Sequence, residues 1–405
     1  MNEKARSWPE VPIGEVLSYA EEPIKLGDLQ EYITITVKRR HGGLEPREKL
    51  FGHQIKTEKQ YRLIPGAFLI SRIQCWHQAY AIVPENIPAN MIASTNYDQF
   101  LFSPKLDRRY LWWFSHSPLF TETVRSSAFG VVIEKMVFNR DAWLRKIIPL
   151  PSLDEQRHIV SRVEELAVRI GKARTLRQQA DDESDALIDS SRRSLFGENP
   201  GADWIPLSRY VAQIENGRSP QCESRPAGDD EWGVLKVGAI SFGTYDEAEN
   251  KALPPGLQFD PRYEVRSGDF LMSRANTTEL CGACAIVSNT RPRLLLSDKT
   301  FRFHFQRGAA IVPQWLDHAM KSPALRDQIE RGASGTSPTM KNISKQKVLA
   351  LLLPPHSPSE QSRIVAYLDR LQTQGHTLKK LQSETATELD AIIPSILSKA
   401  FRGEL

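Results

Sequence analysis

The sequence predicts an α+β protein made by tandem duplication, in which a globular domain followed by a long helix occurs twice. The first observation behind this prediction is an internal repeat that returns after about 205 of the 405 residues. The second is a heptad-like spacing of apolar residues at the end of each repeat, which is typical of helices that pair as a coiled coil. The third is a mixture of short β-type runs and amphipathic patches before each helix, which is typical of an α+β domain.

The repeat is marked by one phrase that occurs twice. PLPSLDEQRHIV runs from Pro149 to Val160, and PPHSPSEQSRIV runs from Pro354 to Val365. Further upstream, GAFLISR ends at Arg72 and its counterpart GDFLMSR ends at Arg274. Because these landmarks keep the same order in both halves, we predict two copies of a unit of roughly 200 residues.

Each globular part is predicted to combine strands with helices. The runs YITITV, FLISRI, VLKVGAI, FLMSR and ACAIV favour strands, and Gly, Pro and Asn separate them. The patches YLWWFSHSPLF and WLDHAMKSPALRDQI favour amphipathic helices. We expect their tryptophans, Trp112, Trp113 and Trp315, to lie in the core.

The long helix of each repeat carries a narrow apolar stripe. The stripe positions recur at steps of three or four residues: Val163, Leu166, Ile170, Ala173, Ala180 and Leu187 in the first copy, and Leu368, Leu371, Leu378, Leu389, Ile392 and Ile396 in the second. A stripe this narrow favours pairing of the two helices, which we predict to be antiparallel and within one chain. Polar or small residues interrupt it at Arg177, Ser184, Gly375 and Gln382, and Pro394 is expected to kink or end the second helix.

The start of each helix carries capping chemistry. Ser152 and either Ser357 or Ser359 are candidate N-caps, and an acidic residue follows in the first turn of both helices. Two interpretations remain open for the repeated Glu-Gln pair. It only starts the helix, or its residues also bind a partner protein, in which case the contact residues are Glu155, Gln156, Glu360 and Gln361.

Composition excludes several classes of protein. No run of about 18 apolar residues is present to span a membrane, and the N-terminal segment lacks the apolar core of a secretion signal. Four cysteines do not form a disulfide framework, so we expect a reducing, cytoplasmic location. The net charge of +4 is too small to indicate nucleic-acid binding by itself.

These features together resemble a known family. Two dissimilar α+β domains, each followed by LP-x-x-x-EQ-x-x-IV or a close variant and then a long helix, are similar to the specificity subunit of type I restriction–modification systems. SLFGE (Ser194–Glu198) and KAFRGEL (Lys399–Leu405) resemble the helix endings of that family, and GDFLMSRAN (Gly268–Asn276) resembles one of its recurrent strands.

The resemblance implies a domain organisation, a function and partners. Residues 1–151 and 199–355 would be two target-recognition domains, 152–198 the central long helix, and 356–405 the C-terminal helix that pairs with it. The chain would be a non-catalytic subunit that recognises a bipartite, asymmetric site in double-stranded DNA and recruits two methyltransferase subunits and the motor-nuclease subunits. The chain itself would bind no cofactor, because S-adenosylmethionine, ATP and Mg would bind to those partners.

Basic and small polar residues give candidates for contact with DNA. Between Lys38 and Arg72 there are nine Lys or Arg against three acids, and between Arg331 and Lys347 there are four against none. Arg72 and Arg274 end equivalent strands, where a guanidinium could bond to a guanine edge. The candidates are Lys38, Arg39, Arg40, Arg72 and Gln74 in the first repeat, and Arg218, Ser219, Arg274, Asn276, Thr277, Ser337, Lys341 and Asn342 in the second.

Other functions find less support in the sequence. Cys281 and Cys284 form a Cys-x-x-Cys, but no second pair completes a structural zinc site, so we expect no metal and a packing role for both thiols. No P-loop and no methyltransferase tetrapeptide (Asn/Asp-Pro-Pro-aromatic) is present, so we expect no catalysis. The alternative that remains is a coiled-coil scaffold with two protein-binding heads and no DNA contact.

Overall fold

The chain folds into two compact units. The computed structural model describes residues 8–57, 59–337 and 339–404, so that the first seven residues and Leu405, which fall within the predicted end domains, lie outside the description. One unit comprises Met1–Leu176 with Ser383–Leu405, and the other comprises Arg177–Gln382. Each unit thus joins a globular part to segments of both long helices.

The first unit contains two sheets. Its strands are β1 (Glu10–Pro12), β2 (Leu17–Ala20), β3 (Pro23–Ile24), β4 (Glu31–Val37), β5 (Leu44–Phe51), β6 (Gln60–Arg62), β7 (Phe68–Ser71), β8 (Tyr80–Ile82), β9 (Met91–Ser94), β10 (Tyr97–Phe102), β11 (Ala128–Phe129), β12 (Val137–Phe138) and β13 (Ile147–Pro149). The larger sheet has the order β3-β6-β9-β4-β5, and the second has the order β2-β10-β7-β8. Two short antiparallel pairs, β1-β13 and β11-β12, complete this part.

Helices cover the second of these sheets. They are α1 (Arg108–Ser115), α2 (Pro118–Arg125) and α3 (Arg140–Leu144), and the long helix α4 (Leu153–Phe196) follows them. Phe68 and Phe100, which face each other on β7 and β10, pack with Tyr110, Phe120 and Trp143, and each of these five side chains is at most 1% exposed. Burial of aromatic rings on this scale stabilises the unit mainly by removing apolar surface from water.

The second unit repeats part of this plan. Its strands are β14 (Ile205–Pro206), β15 (Val211–Asn216), β16 (Gly233–Leu235), β17 (Asn250–Ala252), β18 (Phe270–Ser273), β19 (Ala275–Asn276), β20 (Cys284–Ile286), β21 (Leu294–Leu295), β22 (Thr300–Phe305), β23 (Lys341–Asn342) and β24 (Leu352–Leu353). Its helices are α5 (Gly238–Ser241), α6 (Pro313–Met320), α7 (Pro323–Gly332), α8 (Lys345–Leu349) and α9 (Pro358–Glu384). A further helix, α10 (Ala386–Ala400), follows α9 in the chain. The sheet β15-β22-β18-β20 corresponds to β2-β10-β7-β8, so the predicted α+β duplication is confirmed.

Two details of the predicted elements differ. Only the first part of VLKVGAI forms a strand, because the chain turns into α5 at Gly238. Trp315 is buried as predicted, whereas Trp112 and Trp113 are only half-buried on the surface of α1.

The two long helical segments run antiparallel in the second unit. In the second unit the side chain of Gln382 donates to the backbone oxygen of Arg177 at 3.3 Å, and Lys379 Nζ lies 2.8 Å from Asp185 Oδ1. Ser191 Oγ then lies 3.3 Å from the hydroxyl of Tyr367. The partner number falls as the number along α4 rises, which is the signature of antiparallel pairing.

The polar interruptions of the stripe contact one another. Gly375 is buried against α4, where a β-carbon on it would lie 2.7 Å from Ser184 Oγ, so the two backbones approach closely at that point. Arg177 and Gln382, which are equivalent residues of the repeat, meet across the same pair of helices. These residues are therefore part of the seam and complement each other within it.

The predicted stripe is wrong at one position in each copy. Leu187 is 52% exposed and Ile392 is 39% exposed, while the next residues, Ile188 and Ile393, are half-buried. The reason is that an α-helix has 3.6 residues per turn, so a strict 3.5-residue spacing drifts away from the seam. Pro394 also does not end its helix, since α10 continues to Ala400 and the break lies earlier, at Thr385.

Each long helical segment is anchored at its far end by a phenylalanine. Phe196, at the end of α4, packs against Trp315 in the second unit, with ring centroids 5.7 Å apart. Its repeat equivalent Phe401, just after α10, packs against Tyr110 and Phe114 in the first unit. Among the helices of the described residues, none is both long enough and apolar enough to cross a membrane.

Candidate nucleic-acid interface

The repeated glutamine of the helix starts is buried in both units. Gln156 is 0% exposed: its amide nitrogen donates to the backbone oxygens of Lys105 and Pro151, both at 2.9 Å, and its oxygen accepts from the Asp107 N–H at 2.8 Å. The side chain thereby ties the start of α4 to the loop that leads into α1.

Gln361 makes the same three bonds in the second unit. It is 1% exposed, donates to the oxygens of Ala310 and His356, and accepts from the Val312 N–H at 2.7 Å. Both glutamine side chains are therefore occupied inside the chain. The prediction that Gln156 and Gln361 bind a partner is corrected to this extent: their amides offer no free surface, and partner contact at these turns stays a prediction for Glu155 and Glu360.

The glutamates and serines beside them cap the helices. The Glu155 N–H donates to Ser152 Oγ at 3.4 Å, as predicted. At the other helix the Glu360 N–H donates to Ser357 Oγ at 3.4 Å and the Ser357 N–H donates to Glu360 Oε2 at 2.9 Å, which is a reciprocal capping box. The Ser357 hydroxyl also donates to Glu360 Oε2 at 2.7 Å, and this bond, together with that from the Ser357 N–H, holds the pKa of Glu360 below its usual range.

In the first unit the basic candidates surround one exposed turn. Lys38, Arg39 and Arg40 form the turn between β4 and β5, and Arg39 Nε donates to Gln74 Oε1 at 2.8 Å. The Arg40 N–H donates to the backbone oxygen of His77 at 2.8 Å, which docks the turn on the segment after β7. Lys38 pairs with Glu45 at 2.6 Å, so its charge is partly neutralised.

A pair of stacked histidines lies next to the same turn and stabilises it. His41 and His116 stack with ring centroids 3.7 Å apart, and the His41 ring donates to the Ser115 oxygen at 3.1 Å. Burial, with a smaller contribution from His116, lowers the pKa of His41 to about 4. Burial also lowers the pKa of His116, against a bond to the Trp112 oxygen. Both rings are therefore neutral at pH 7.

Arg72 and Arg274 occupy equivalent positions, as the repeat predicts. Each directly follows a strand, β7 or β18, and the Nε of each is buried without a hydrogen-bond partner among the described residues. Arg72 Nε lies 3.7 Å from Asp98 Oδ2, whereas the Arg274 guanidinium lies over the ring of Phe301 at 5.8 Å. Asp98 is 5% exposed, and burial raises its pKa despite Arg72 and Arg140 nearby.

The second unit brings three of its candidates onto one short ribbon. β19 pairs with β23, so that Asn276 lies opposite Lys341 and Ala275 lies opposite Asn342. The Asn276 side chain donates to Ser241 Oγ at 3.0 Å and accepts from the Thr277 N–H at 2.9 Å. Ser337, on the loop before β23, is exposed and lies 2.7 Å from Thr339 Oγ1.

Arg218 and Ser219 lie at a different place in the second unit. They follow Gly217, where a β-carbon would come within 1.6 Å of the Leu296 oxygen, so only glycine fits. Ser219 Oγ donates to Asp298, and both candidates line a cavity of about 520 Å³. Arg218 is exposed there, apart from the ribbon candidates of β19 and β23.

Two buried polar residues with a structural role were missed by the sequence prediction. Gln99 on β10 accepts from the Ile64 N–H and donates to the Arg62 oxygen, each at 2.9 Å. At the equivalent place on β22, Arg302 is 6% exposed and bonds to Glu215, Asp269 and backbone oxygens. Both lie within apolar strand patterns, and no spacing in the sequence distinguishes them.

The cysteine pair is a packing feature. Cys281 and Cys284 are each 1% exposed, and burial raises the pKa of both thiols. Within the described part of the chain, no group of three or more His, Cys, Asp or Glu is placed to hold a metal ion.

Comparison with known proteins gives the following relatives. No protein-family model matches the sequence. The chain is 31% identical over 205 residues to the type I restriction enzyme EcoEI specificity subunit of Escherichia coli, which covers 49% of this chain and 34% of that protein. It is 23% identical over 278 residues to the EcoKI specificity subunit of Escherichia coli strain K12, which covers 64% of this chain and 57% of that protein. The matches thus span from about a third to just over half of these relatives.

Solved structures share the fold over the whole length. The HsdS subunit from Thermoanaerobacter tengcongensis has a TM-score of 0.66 at 22% identity, covering 98% of this chain and 97% of that chain. A chain from a structure described as the structural basis underlying complex assembly and conformational transition of the type I R-M system has a TM-score of 0.73 at 23% identity, covering all of both chains. The resemblance to type I specificity subunits is confirmed. Specificity subunits are therefore the proteins that this chain resembles in part of its sequence and in its fold.

Proposed function

We propose that the chain is a non-catalytic specificity subunit that recognises a bipartite, asymmetric sequence in double-stranded DNA. The observation that carries this proposal is the equivalence of Arg72 and Arg274. The duplicated framework places both after matching strands and leaves the Nε of each without a hydrogen bond among the described residues, while their surroundings differ: Arg72 lies near Asp98 and Arg274 over the ring of Phe301. A repeated framework with different side chains suits two half-sites of different sequence.

We assign the two half-sites to the two globular parts. Residues 1–151 and 199–355 would be the target-recognition domains, and the paired helices of 152–198 and 356–405 would join them. In the first, the turn with Lys38, Arg39 and Arg40, together with Gln74, would approach the phosphate backbone, since it is exposed and basic. In the second, the ribbon with Asn276, Lys341 and Asn342 would do so beside Thr277 and Ser337, with Arg218 and Ser219 contacting from the separate turn.

We propose that partner subunits supply the chemistry. Two methyltransferase subunits and the motor-nuclease subunits would bind S-adenosylmethionine, ATP and Mg, and the complex would act in the cytoplasm. The outer faces of the long helices support a docking role, since Val168 is 71% exposed, Leu176 54% and Leu381 56%. Exposed apolar side chains at helical spacing are suited to packing against further helices.

DNA binding tests the proposal against the scaffold alternative. The purified full chain, alone and with co-expressed methyltransferase subunits, is titrated with random duplex at about 50 and 200 mM salt, since phosphate contacts weaken strongly over that range. Duplexes retained from a random pool are then sequenced. We expect salt-sensitive affinity and two conserved sequence blocks separated by a random gap. Affinity that does not change with salt, or a pool that shows no preferred sequence, would refute the proposal.

A further inference from the structure

Two loops of the protein occupy equivalent positions in the repeat and differ in their side chains. The first, called here loop 1, is 130–135 between β11 and β12, and its repeat equivalent, loop 2, comprises the described residues 335–337 and 339–340 before β23. Ser337 on loop 2 is one of the candidates for DNA contact described above, and loop 1 carries none of them.

The backbones match in three respects. Gly130 has φ +154° and Gly335 has φ +137°, and a β-carbon on either would come within 2.7 Å of the Lys135 oxygen or 2.4 Å of the Met340 oxygen. One turn hydrogen bond, from Lys135 N to Val132 O or from Met340 N to Ser337 O, closes each loop at 2.9 Å and 3.2 Å. Both loops therefore require glycine at the same place and are closed by the same turn hydrogen bond.

The segment that follows each loop is joined to the arginine of its unit. The Phe138 N–H donates to the Arg72 oxygen at 2.9 Å, and the Ile343 N–H donates to the Arg274 oxygen at 3.0 Å. Each loop therefore leads into a segment that is bonded to the backbone of the arginine proposed to contact DNA. In the first unit Phe129, Phe138 and Arg72 line one cavity of about 310 Å³.

The side chains of the loops are chemically opposite. Loop 1 exposes Val131 (99%), Val132 (46%) and Ile133 (47%), beside Phe129 (58%). At the positions of the two valines, loop 2 exposes Thr336 and Ser337. Exposed apolar clusters of this kind cost solvation energy unless a partner covers them. The glycine and the closing turn bond are the same in both loops, whereas the exposed side chains differ. The side chains are therefore what distinguishes one loop from the other.

We propose that these loops discriminate bases in the two half-sites, with Val131, Val132 and Ile133 contacting thymine 5-methyl groups in the half-site of the first unit. Thymine is the base that carries an apolar group on its major-groove edge, so an apolar loop favours A·T pairs. Thr336 and Ser337 would instead exchange hydrogen bonds with base edges. The inference rests on the proposed function and names which side chains carry sequence information.

Charge argues for DNA rather than protein as the occupant. Loop 2 lies within the segment from Arg331 to Lys347, which has four basic residues and no acid, and it leads directly into Lys341 and Asn342 of the ribbon. Loop 1 leads into β12, whose Phe138 N–H donates to the Arg72 oxygen, and Arg72 closes a segment with nine basic residues and three acids. An anionic duplex complements both surroundings.

The first experiment exchanges the loop chemistry. Val131→Thr with Val132→Ser gives loop 1 the residue types of loop 2, and Leu29→Thr is the matched control, since Leu29 is 87% exposed in the turn before β4. The full-length variants are used to select duplexes from a random pool. We expect the double variant to change one or two positions of one half-site and to keep the other half-site, while the control keeps both.

The second experiment removes only the methyl groups. Each thymine of the affected half-site is replaced by uracil, and we expect the native chain to bind about fourfold more weakly for each contacted methyl, from ~0.8 kcal/mol per buried carbon. The double variant should respond less to uracil than the native chain, since Ile133 is the apolar side chain of the proposed contact that it keeps. Equal responses of both proteins, no response of either, or a half-site without A·T pairs would overturn the inference.

Failure of the inference can be told apart from failure of the proposed function. A native chain without any preferred duplex refutes the proposed function. A native chain with a bipartite site that the double variant keeps unchanged refutes only the role of the loops. A double variant that keeps its site but loses affinity for the methyltransferase subunits would show that loop 1 contacts protein, and would also overturn the inference.

Discussion

Replacement of Gln361 by alanine tests the role given to the buried glutamines. Gln361 is 1% exposed and makes three hydrogen bonds, to Ala310, Val312 and His356. At about 1 kcal/mol for each bond, their loss predicts a decrease of about 3 kcal/mol in the free energy of unfolding of the second unit. The backbone groups of Ala310, Val312 and His356 that lose a partner belong to residues that are only half-buried or exposed. Water can therefore replace part of the lost bonding, and the decrease in stability stays below the full cost of burying unsatisfied polar groups.

The assay is urea unfolding of the full chain together with hydrogen exchange at the Val312 amide, whose hydrogen bond to Gln361 Oε1 is 2.7 Å long. We expect exchange at Val312 to accelerate and the unfolding midpoint of the second unit to fall. The matched control is Gln374→Ala, at an exposed position of the same helix, which should change stability by less than about 0.5 kcal/mol. A decrease of less than about 1 kcal/mol in the free energy of unfolding for Gln361→Ala would refute the structural role given to this glutamine.

A second variant separates hydrogen bonding from volume. Gln361→Glu keeps the shape but turns a carboxylate oxygen towards the oxygens of Ala310 and His356. Burial raises the pKa of such a carboxyl in the folded state above that in the unfolded chain. The variant should therefore be most destabilised at pH 8 and recover as the pH falls through the folded pKa. Equal destabilisation at pH 8 and pH 5 would contradict this account.

Four further outcomes are expected. Arg274→Ala should weaken recognition of the second unit's half-site by about 1–3 kcal/mol if the guanidinium contacts a base, and should weaken all duplexes alike if it contacts phosphate, as competition binding would distinguish. Exchange of residues 199–355 for those of a relative should alter one half of the methylated site and leave the other; methylation mapping that shows both altered would refute modular recognition. The pKa of His41 is lowered to about 4 in the folded chain, against about 6.5 in the unfolded chain. The contribution of His41 to the free energy of unfolding should therefore be full above pH 6.5 and fall by no more than about 1.4 kcal/mol per pH unit between pH 6.5 and pH 4. In urea unfolding, the variant His41→Gln should lose this dependence on pH. The purified chain alone should not transfer methyl groups to DNA, and radiolabel transfer from S-adenosylmethionine would contradict the non-catalytic assignment.

The elements that could be predicted from the sequence are those whose physics is local. The capping serines Ser152 and Ser357 are recognisable because a cap bonds to an N–H only three residues further on. The strands that end at Arg72 and Arg274 are recognisable from their apolar runs and from the repeat. The stripe of the long helices was predicted correctly except where a strict 3.5-residue period departs from helical geometry, at Leu187 and Ile392.

The sequence by itself determined that the protein is a duplication of an α+β unit with paired helices, because periodicity and repeated phrases depend only on neighbouring residues. Only the tertiary structure decided what the repeated glutamines do, because the groups they bond, such as Lys105 for Gln156 and Ala310 for Gln361, lie about 50 residues away in the chain. The same holds for the glycines that open loop 1 and loop 2, which a close approach between backbone segments requires. Local propensities depend on neighbouring residues in the chain, whereas the partners of a buried polar group are determined by packing between distant segments.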